Sequence, residues 1–353
     1  MNSSSSPAPK RKAVALISGG LDSMLAVRMI QEQGVHVEGL NFFTGFCVEG
    51  HTHAIRNDRR KREKRNNALW AAEKLGILLH IVDVIEAYQD VVLNPKHGYG
   101  ANLNPCLDCK GFMVGRARVW MEAHGFDFII TGEVLGQRPM SQTKEKLPIV
   151  ARESGAGDRL LRPLSAKLLP PTLPEREGWV DRERLGAISG RSRHEQMRLA
   201  ALWGIEDYAQ PAGGCCFLTD ENYTRKLLDL WSARAERRYT LDDILLLKVG
   251  RHLRPRPHLK LIVGRDEGEN FYLSGYKRDF PTIEMLSHPG PLVLVDGRPT
   301  EDDLTLAAAI AARYSKGRDA PGVQVRVSEP GQAPRDIEVA PLREEEIPPA
   351  WHL

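Results

Sequence analysis

Lys12-Ala13-Val14-Ala15-Leu16-Ile17 runs without a break into Ser18-Gly19-Gly20-Leu21-Asp22-Ser23. An apolar run with no polar alternation is the pattern of a strand buried on both faces, which is how strands of a parallel sheet look. The two glycines then turn the chain into a helical pattern. Leu25, Ala26, Met29 and Ile30 share one face of it, and Gly34 is its stop. Asp22 and Ser23 are the expected N-caps of that helix. Strand, glycine turn and helix start together bring backbone N–H groups to one point with no side chain in the way. That is a phosphate-binding geometry. Ser18 and Ser23 add hydroxyl donors, and Asp22 can position Mg2+. The loop has neither the Gly-Lys-Ser/Thr of a Walker loop nor the G-x-G-x-x-G dinucleotide fingerprint. A plain Gly-Gly turn is the bland alternative.

Further along, Val35–Asn41 reads as a second strand. A helix follows at about 66–75, closed by Gly76, and then the apolar run Ile77–Val84. A helix from about Lys110 to His124 leads to a buried strand at Phe126–Thr131, which ends at Gly132. Strands alternating with helices predict an α/β fold, a Rossmann-like parallel sheet covered on both faces. Residues 152–190 are rich in Pro, Gly and charge and connect strand Leu160–Leu164 to helices at Arg193–Trp203 and 222–235. From about residue 236 the texture changes to short strands with Gly and Pro turns and one helix near Asp302–Tyr314. That predicts a smaller C-terminal α+β domain. The expected organisation is a disordered tail at 1–11, the α/β domain at 12–235 and the α+β domain at 236–353.

A chain of 353 residues exceeds one typical domain, and 42% apolar with 27% charged residues is an ordinary globular balance. A net charge of +3 excludes a bulk polycation, so any nucleic-acid surface must come from local clustering. No apolar run approaches the roughly 18 residues of a membrane span. The Ser/Pro-rich start lacks the apolar stretch of a secretion signal, so a soluble cytoplasmic protein is expected.

Five cysteines, Cys47, Cys106, Cys109, Cys215 and Cys216, are too few and too odd for a disulfide framework. In a reducing compartment, C-x-x-C with distant thiols points to a metal, a cluster or redox sulfur chemistry. Cys47 by itself reads as a small buried hydrophobe.

The S-G-G-x-D-S loop after a buried first strand resembles the PP-loop of the N-type ATP pyrophosphatases, which cleave ATP between the α- and β-phosphates and adenylate an acceptor oxygen. Asn104-Pro105-Cys106-Leu107-Asp108-Cys109-Lys110 resembles the N-P-D-x-x-C-N segment of MnmA/TrmU-type tRNA 2-thiouridylases, with Cys106 in place of Asp and Lys110 in place of Asn. Gly214-Cys215-Cys216-Phe217-Leu218 is similar to that family's G-x-C-F-I and aligns Cys216 with its cysteine. Thr131-Gly132-Glu133-Val134-Leu135-Gly136-Gln137, with Ser141-Gln142-Thr143, is closer to the T-G-D-S-L-G-Q…S-Q-T of ThiI-type 4-thiouridine synthetases, which also share Arg162-Pro163-Leu164. The resemblance covers about residues 12–232. It implies ATP-dependent thiolation of a tRNA uridine at position 2 or 4. It further implies ATP contacts from Ser18, Gly19, Gly20, Leu21, Asp22, Ser23, Asn41, Phe42, Gly132 and Gln137, with catalytic roles for Asp22, Cys106, Cys109 and Cys216.

The chemistry suits these residue types. A uracil carbonyl is a poor electrophile, and adenylating its oxygen makes AMP the leaving group before sulfur attacks as a thiolate or its equivalent. Two sulfur routes follow from the resemblance: a persulfide on one cysteine resolved by a second, or a [4Fe–4S] cluster on Cys106, Cys109 and Cys216 whose fourth iron takes the sulfide. The Asp-to-Cys exchange at Cys106 favours the cluster. Cys215 is the alternative third ligand, and zinc on Cys106, Cys109, Cys215 and Cys216 is a weaker option. The sulfur would come from a cysteine desulfurase, a carrier protein or free sulfide.

Two basic runs are candidate RNA surfaces. Residues 56–65 carry seven basic and two acidic residues in ten positions, and Lys248–Arg265 carries six basic residues, two histidines and no acid in eighteen. The second, with Gly268-Glu269-Asn270, resembles the RNA-binding domain of the NFACT family. The rival functions are a PP-loop adenylating enzyme of another substrate class and a non-catalytic RNA-binding protein that keeps an ATP fold. The first would show a glutaminase cysteine or a tighter Cys-rich zinc cluster, and the second would not need an intact S-G-G-L-D-S loop.

Overall fold

The computed structural model describes residues 10–47, 66–208, 216–234 and 236–353. Most of the expected tail, the basic run at 56–65 and Cys215 lie outside them. The described chain divides into two units, one formed by residues 10–44 and 66–208 and the other by residues 45–47 and 216–353.

In the first unit β1 (Lys12–Leu16) pairs in parallel with β2 (His36–Phe43) on one side and β4 (Phe128–Ile130) on the other. β3 (Leu79–Asp83) and β5 (Leu160–Leu161) complete the parallel order β3-β2-β1-β4-β5. The chain winds outward from β1 to β3 and then crosses to β4, so the order reverses between β1 and β4. Ligands of open parallel sheets bind at such a reversal, beyond the carboxyl ends of the strands. The loops that emerge there are Ile17–Gly20 and Thr131–Gln137.

α1 (Leu21–Gln31) seals the sheet with Leu21, Met24, Leu25, Val27 and Ile30, all almost fully buried. Its N-cap is Gly20, extended and without a side-chain cap. Asp22 and Ser23 therefore sit inside the first turn instead of capping it, and the Ser23 hydroxyl donates back to the Gly20 carbonyl at 2.7 Å. α2 (Asn67–Leu75) is capped by the Asn66 side chain and ends at left-handed Gly76, as its sequence predicts. α3 (Ile85–Leu93) follows β3. α4 (Cys106–Ala123) starts four residues before its expected position, directly after Pro105, so the C-x-x-C is its first turn. α5 (Lys146–Glu153) and α6 (His194–Leu202) complete the longer helices of this unit. The strand expected at Leu160–Leu164 stops after two residues, because Pro163 has no N–H for a ladder and opens a 3-10 helix.

The second unit is a six-stranded antiparallel sheet in the order β11-β10-β8-β9-β7-β6. Its strands are β6 (Arg251–Arg256), β7 (Leu259–Val263), β8 (Thr282–Met285), β9 (Val293–Gly297), β10 (Val323–Ser328) and β11 (Arg335–Val339). Three helices precede or interrupt it: α7 (Glu221–Ser232), α8 (Leu241–Leu246) and α9 (Glu267–Ser274). α10 (Glu301–Arg313) covers the sheet with Leu304, Ala307, Ala308, Ile310 and Ala311. α7 is part of this unit. Its Tyr223 hydroxyl donates to the Ile244 carbonyl at 3.0 Å, and its Asp229 receives Arg254 of β6. The division thus falls before residue 216 and not at 235, because α7 packs forward in sequence. The fold class is as expected: a Rossmann-like parallel sheet followed by a smaller α+β domain.

Candidate nucleotide and cysteine sites

Gly19 has φ +76, and a Cβ there would stand 2.5 Å from the Asn67 carbonyl carbon at the start of α2. It is needed both for its conformation and for the space it leaves. Gly20 is different: a Cβ would meet only the Ser18 hydroxyl, at 3.5 Å. The fold does not require a glycine there. Gly132 comes from the other side of the reversal, and its missing side chain lets Thr131–Glu133 pass against the backbone of Asp22 and Ser23. The Asn41 amide donates to the Ile17 carbonyl at 2.7 Å and fixes the start of the loop. Ser18 is exposed, whereas Leu21 and Phe42 are core side chains.

Asp22 is the focus of this site. Gln137 donates to its Oδ2 at 3.1 Å, while Oδ1 is buried with no protein partner. Burial raises the carboxyl's pKa, against the pull of Gln137, Arg193, Gln196 and Arg138. An orphaned carboxylate oxygen beside a phosphate-type loop fits a divalent cation. Arg138, Arg193 and Gln196 were not read as site residues from the sequence. Gln196 carried a signal: it is a polar residue on the same buried helix face as Leu199 and Ala200.

Behind the loop, Glu133 is fully buried and accepts from Arg162 Nε at 3.0 Å and from the Thr131 hydroxyl at 3.1 Å. Burial alone would raise its pKa, but the charges of Arg162 and Lys110 and these hydrogen bonds bring it below the usual value. Arg162 also donates to the Leu147 carbonyl at 3.1 Å. The T-G-E and R-P-L segments are therefore two halves of one buried ion pair that braces the strand ends.

Cys106 and Cys109 lie one turn apart at the start of α4, both half-buried. Asp108 between them accepts from the His97 backbone at 3.1 Å and pairs with its ring at 3.0 Å, which ties the preceding loop to the helix. Cys216 belongs to the second unit, where it stands opposite Cys47 in an isolated antiparallel bridge. Lys248, buried, donates to the Gly45 carbonyl and lies 4.7 Å from the Phe217 ring centre. Burial brings its pKa down to about 8, against the opposing influence of Cys47 and Cys216. Among the described residues no three His, Cys, Asp or Glu side chains gather as a metal site. The expectations of a [4Fe–4S] cluster on Cys106, Cys109 and Cys216, and of zinc, are not supported.

The basic run of the second unit is mostly consumed inside the domain. Lys248, His252 and Lys260 are buried. Arg254 and Lys260 share Asp229, at 2.6 and 3.1 Å. Arg256 and His258 share Asp303, at 2.6 and 2.9 Å. Arg265 pairs with Glu269 at 2.9 Å. Arg251 is exposed and lies 5.3 Å from the Tyr314 ring centre. It faces a cavity of about 1350 Å3 that Arg313, Lys316 and Arg318 also line, together with Asp266, Glu267, Asp319, Glu344 and Glu345. No described helix is long and apolar enough to cross a membrane.

Residues 11–152 match the family described as tRNA methyl transferase HUP domain, and residues 250–352 match the NFACT protein RNA binding domain. The parallel sheet with its Gly19–Gly20 turn is thus similar to a HUP-type α/β domain, and the antiparallel sheet that follows on the same chain is similar to the NFACT RNA-binding domain. The first of these is similar to the tRNA 2-thiouridylases, PP-loop enzymes that match it over part of their length. The tRNA-specific 2-thiouridylase MnmA 1 of Syntrophus aciditrophicus is 27% identical over 132 residues, 35% of this chain and 33% of that one. MnmA of Sulfurimonas denitrificans is 30% identical over 129 residues, 35% of each chain. MnmA of Mesoplasma florum matches at 27% over 234 residues, 62% of this chain and 58% of its own. The chain spans about a third of the length of the first two.

Proposed function

We propose that the chain is an ATP-dependent tRNA uridine thiolase, which adenylates a uracil oxygen and replaces it with sulfur. The observation that carries this is Asp22 Oδ1, buried without a partner beside the Gly19–Gly20 turn at the sheet's reversal point. In this reading the triphosphate lies over Gly20 at the start of α1, where the backbone N–H groups and the positive end of the helix dipole receive it. Asp22, held by Gln137, offers Oδ1 to Mg2+, which when bound supplies charge neutralisation at the phosphates. Arg138 and Arg193 receive the pyrophosphate as it leaves. Adenylation bonds the uracil oxygen to the α-phosphorus as pyrophosphate leaves, and that oxygen departs within AMP when sulfur attacks the ring carbon.

The sulfur is carried by thiols, with Cys216 aligned to the family cysteine and Cys106 and Cys109 as further nucleophiles. A cysteine desulfurase, a carrier or free sulfide supplies it. The second domain grips tRNA, with the exposed cations Arg251, Lys316 and Arg318 as its phosphate contacts. The test is AMP release from ATP with and without bulk tRNA. Release stimulated by tRNA supports the thiolase, and release indifferent to tRNA points to another substrate class.

A further inference from the structure

Cys47, which the sequence alone marks as a small buried apolar residue, faces Cys216 across an antiparallel bridge. One hydrogen bond identifies the type of pair. The Phe217 N–H donates to the Phe46 carbonyl at 2.9 Å, from the residue after Cys216 to the residue before Cys47. That is the signature of a non-hydrogen-bonded pair. In such pairs the Cα atoms are about 4.5 Å apart and the two side chains leave the same face side by side. A disulfide spans Cα distances of about 4.4–6.8 Å, so two cysteines in this pairing can be joined without moving the backbone. Both are half-buried, which leaves them open to reagents. Lys248, anchored at the Gly45 carbonyl, sets a cationic side chain beside the pair.

We propose that Cys47 and Cys216 are a dithiol–disulfide couple and, resting on the thiolase reading above, that Cys47 is the thiol which releases sulfur carried by Cys216. Sulfur carried as a persulfide on Cys216 has bonded to the uracil carbon, and AMP has left. The Cys47 thiolate attacks Cys216 Sγ and forms the Cys47–Cys216 disulfide. The bond between Cys216 Sγ and the carried sulfur breaks, and that sulfur keeps the electron pair as the thiocarbonyl of the product. Two cysteines are oxidised and one sulfur is reduced by two electrons. A dithiol reductant then returns the couple to two thiols.

The test uses the full-length chain with Cys215→Ser, so that linkage at position 216 is unambiguous. The reduced protein is oxidised with diamide, denatured, alkylated with N-ethylmaleimide and mapped by peptide mass spectrometry. The expected result is a linked Cys47–Cys216 peptide that dithiothreitol removes, while Cys47→Ser leaves Cys216 alkylated. Alkylated Cys47 after oxidation, or Cys216 linked to Cys106 or Cys109 instead, would overturn the couple. One round with ATP, bulk tRNA and a cysteine desulfurase with L-cysteine, without reductant, separates the two layers. The couple acting as proposed gives thionucleoside and linked peptide in equal amounts. The linked peptide from diamide but no thionucleoside keeps the couple and sinks the thiolase reading; thionucleoside with Cys47 still alkylated does the reverse.

Discussion

Gly132 lies directly beneath the first turn of the helix that carries Asp22: a Cβ on Gly132 would stand 2.5 Å from both the Asp22 carbonyl carbon and the Ser23 nitrogen. Backbone meets backbone there, with no flexible side chain to give way. The loop after β4 and the loop after β1 thus form one rigid floor on which the Asp22 carboxylate and Gln137 are held together.

A methyl group separates packing from ligand approach at the two glycines. Gly132→Ala must move the backbone, which costs on the order of 1–3 kcal/mol, and should lower the melting temperature as well as AMP release. Gly20→Ala meets only the Ser18 hydroxyl at 3.5 Å and should melt as the wild type does while losing ATP affinity. Thermal melts and ATP titration check this pair. A Gly20→Ala protein with unaltered ATP binding would contradict the placement of the phosphates.

Burial raises the Asp22 pKa, so its ionised form opposes folding. The sign follows from proton binding. Between the unfolded value and the raised folded value the native state holds more proton, so this group's penalty is absent in acid and grows as pH rises. Asp22→Asn should therefore melt no lower than the wild type at pH 7, with the gap closing toward acid, while AMP formation is abolished. In the wild type, AMP formation should fall as pH drops through the raised Asp22 pKa. Melting curves and AMP assays across pH test both signs.

Lys260 is 1% exposed and has Asp229 as its carboxylate partner, which Arg254 shares. Asp229→Ala leaves a buried ammonium uncompensated and should destabilise the second domain by about 3–5 kcal/mol. Replacing both groups, Asp229→Leu with Lys260→Met, should recover a large part of that loss. Denaturant unfolding of the three proteins decides it; a single variant as stable as the wild type would contradict the ion pair.

For tRNA binding the exposed cations and the paired ones should separate. Replacing Arg251 or Lys316 with Gln should flatten the log–log salt dependence by about 0.7–0.9 for each phosphate that is no longer neutralised. Arg256→Gln should leave the slope unaltered and lower stability instead, because Arg256 is bound to Asp303. Filter binding at several salt concentrations, with melts of the same variants, gives both readouts.

The parallel sheet was legible because β1 is a buried apolar run and because Gly19 and Gly132 mark close backbone approaches that only glycine permits. The start of α4 was not, since neither cysteine is a capping residue and Pro105 holds the cap position. The basic run from Lys248 to Arg265 looked like a surface because a sequence shows charges and not their partners. Asp229, Asp303 and Glu269, which neutralise most of it, come from three other elements. Cys47 was unreadable for the same reason. Its significance lies in a residue far along the chain, brought opposite it by a single bridge.

The most direct measurement combines two products of one reaction. The full-length protein is incubated with radiolabelled ATP, Mg2+, bulk tRNA and a cysteine desulfurase with L-cysteine. AMP is then counted, and the tRNA is digested for nucleoside mass spectrometry. The thiolase predicts AMP release that depends on tRNA, accompanied by an equal amount of a single thiouridine, with both lost in Asp22→Asn. AMP released equally without tRNA, or tRNA-dependent AMP with no thionucleoside formed, would contradict it.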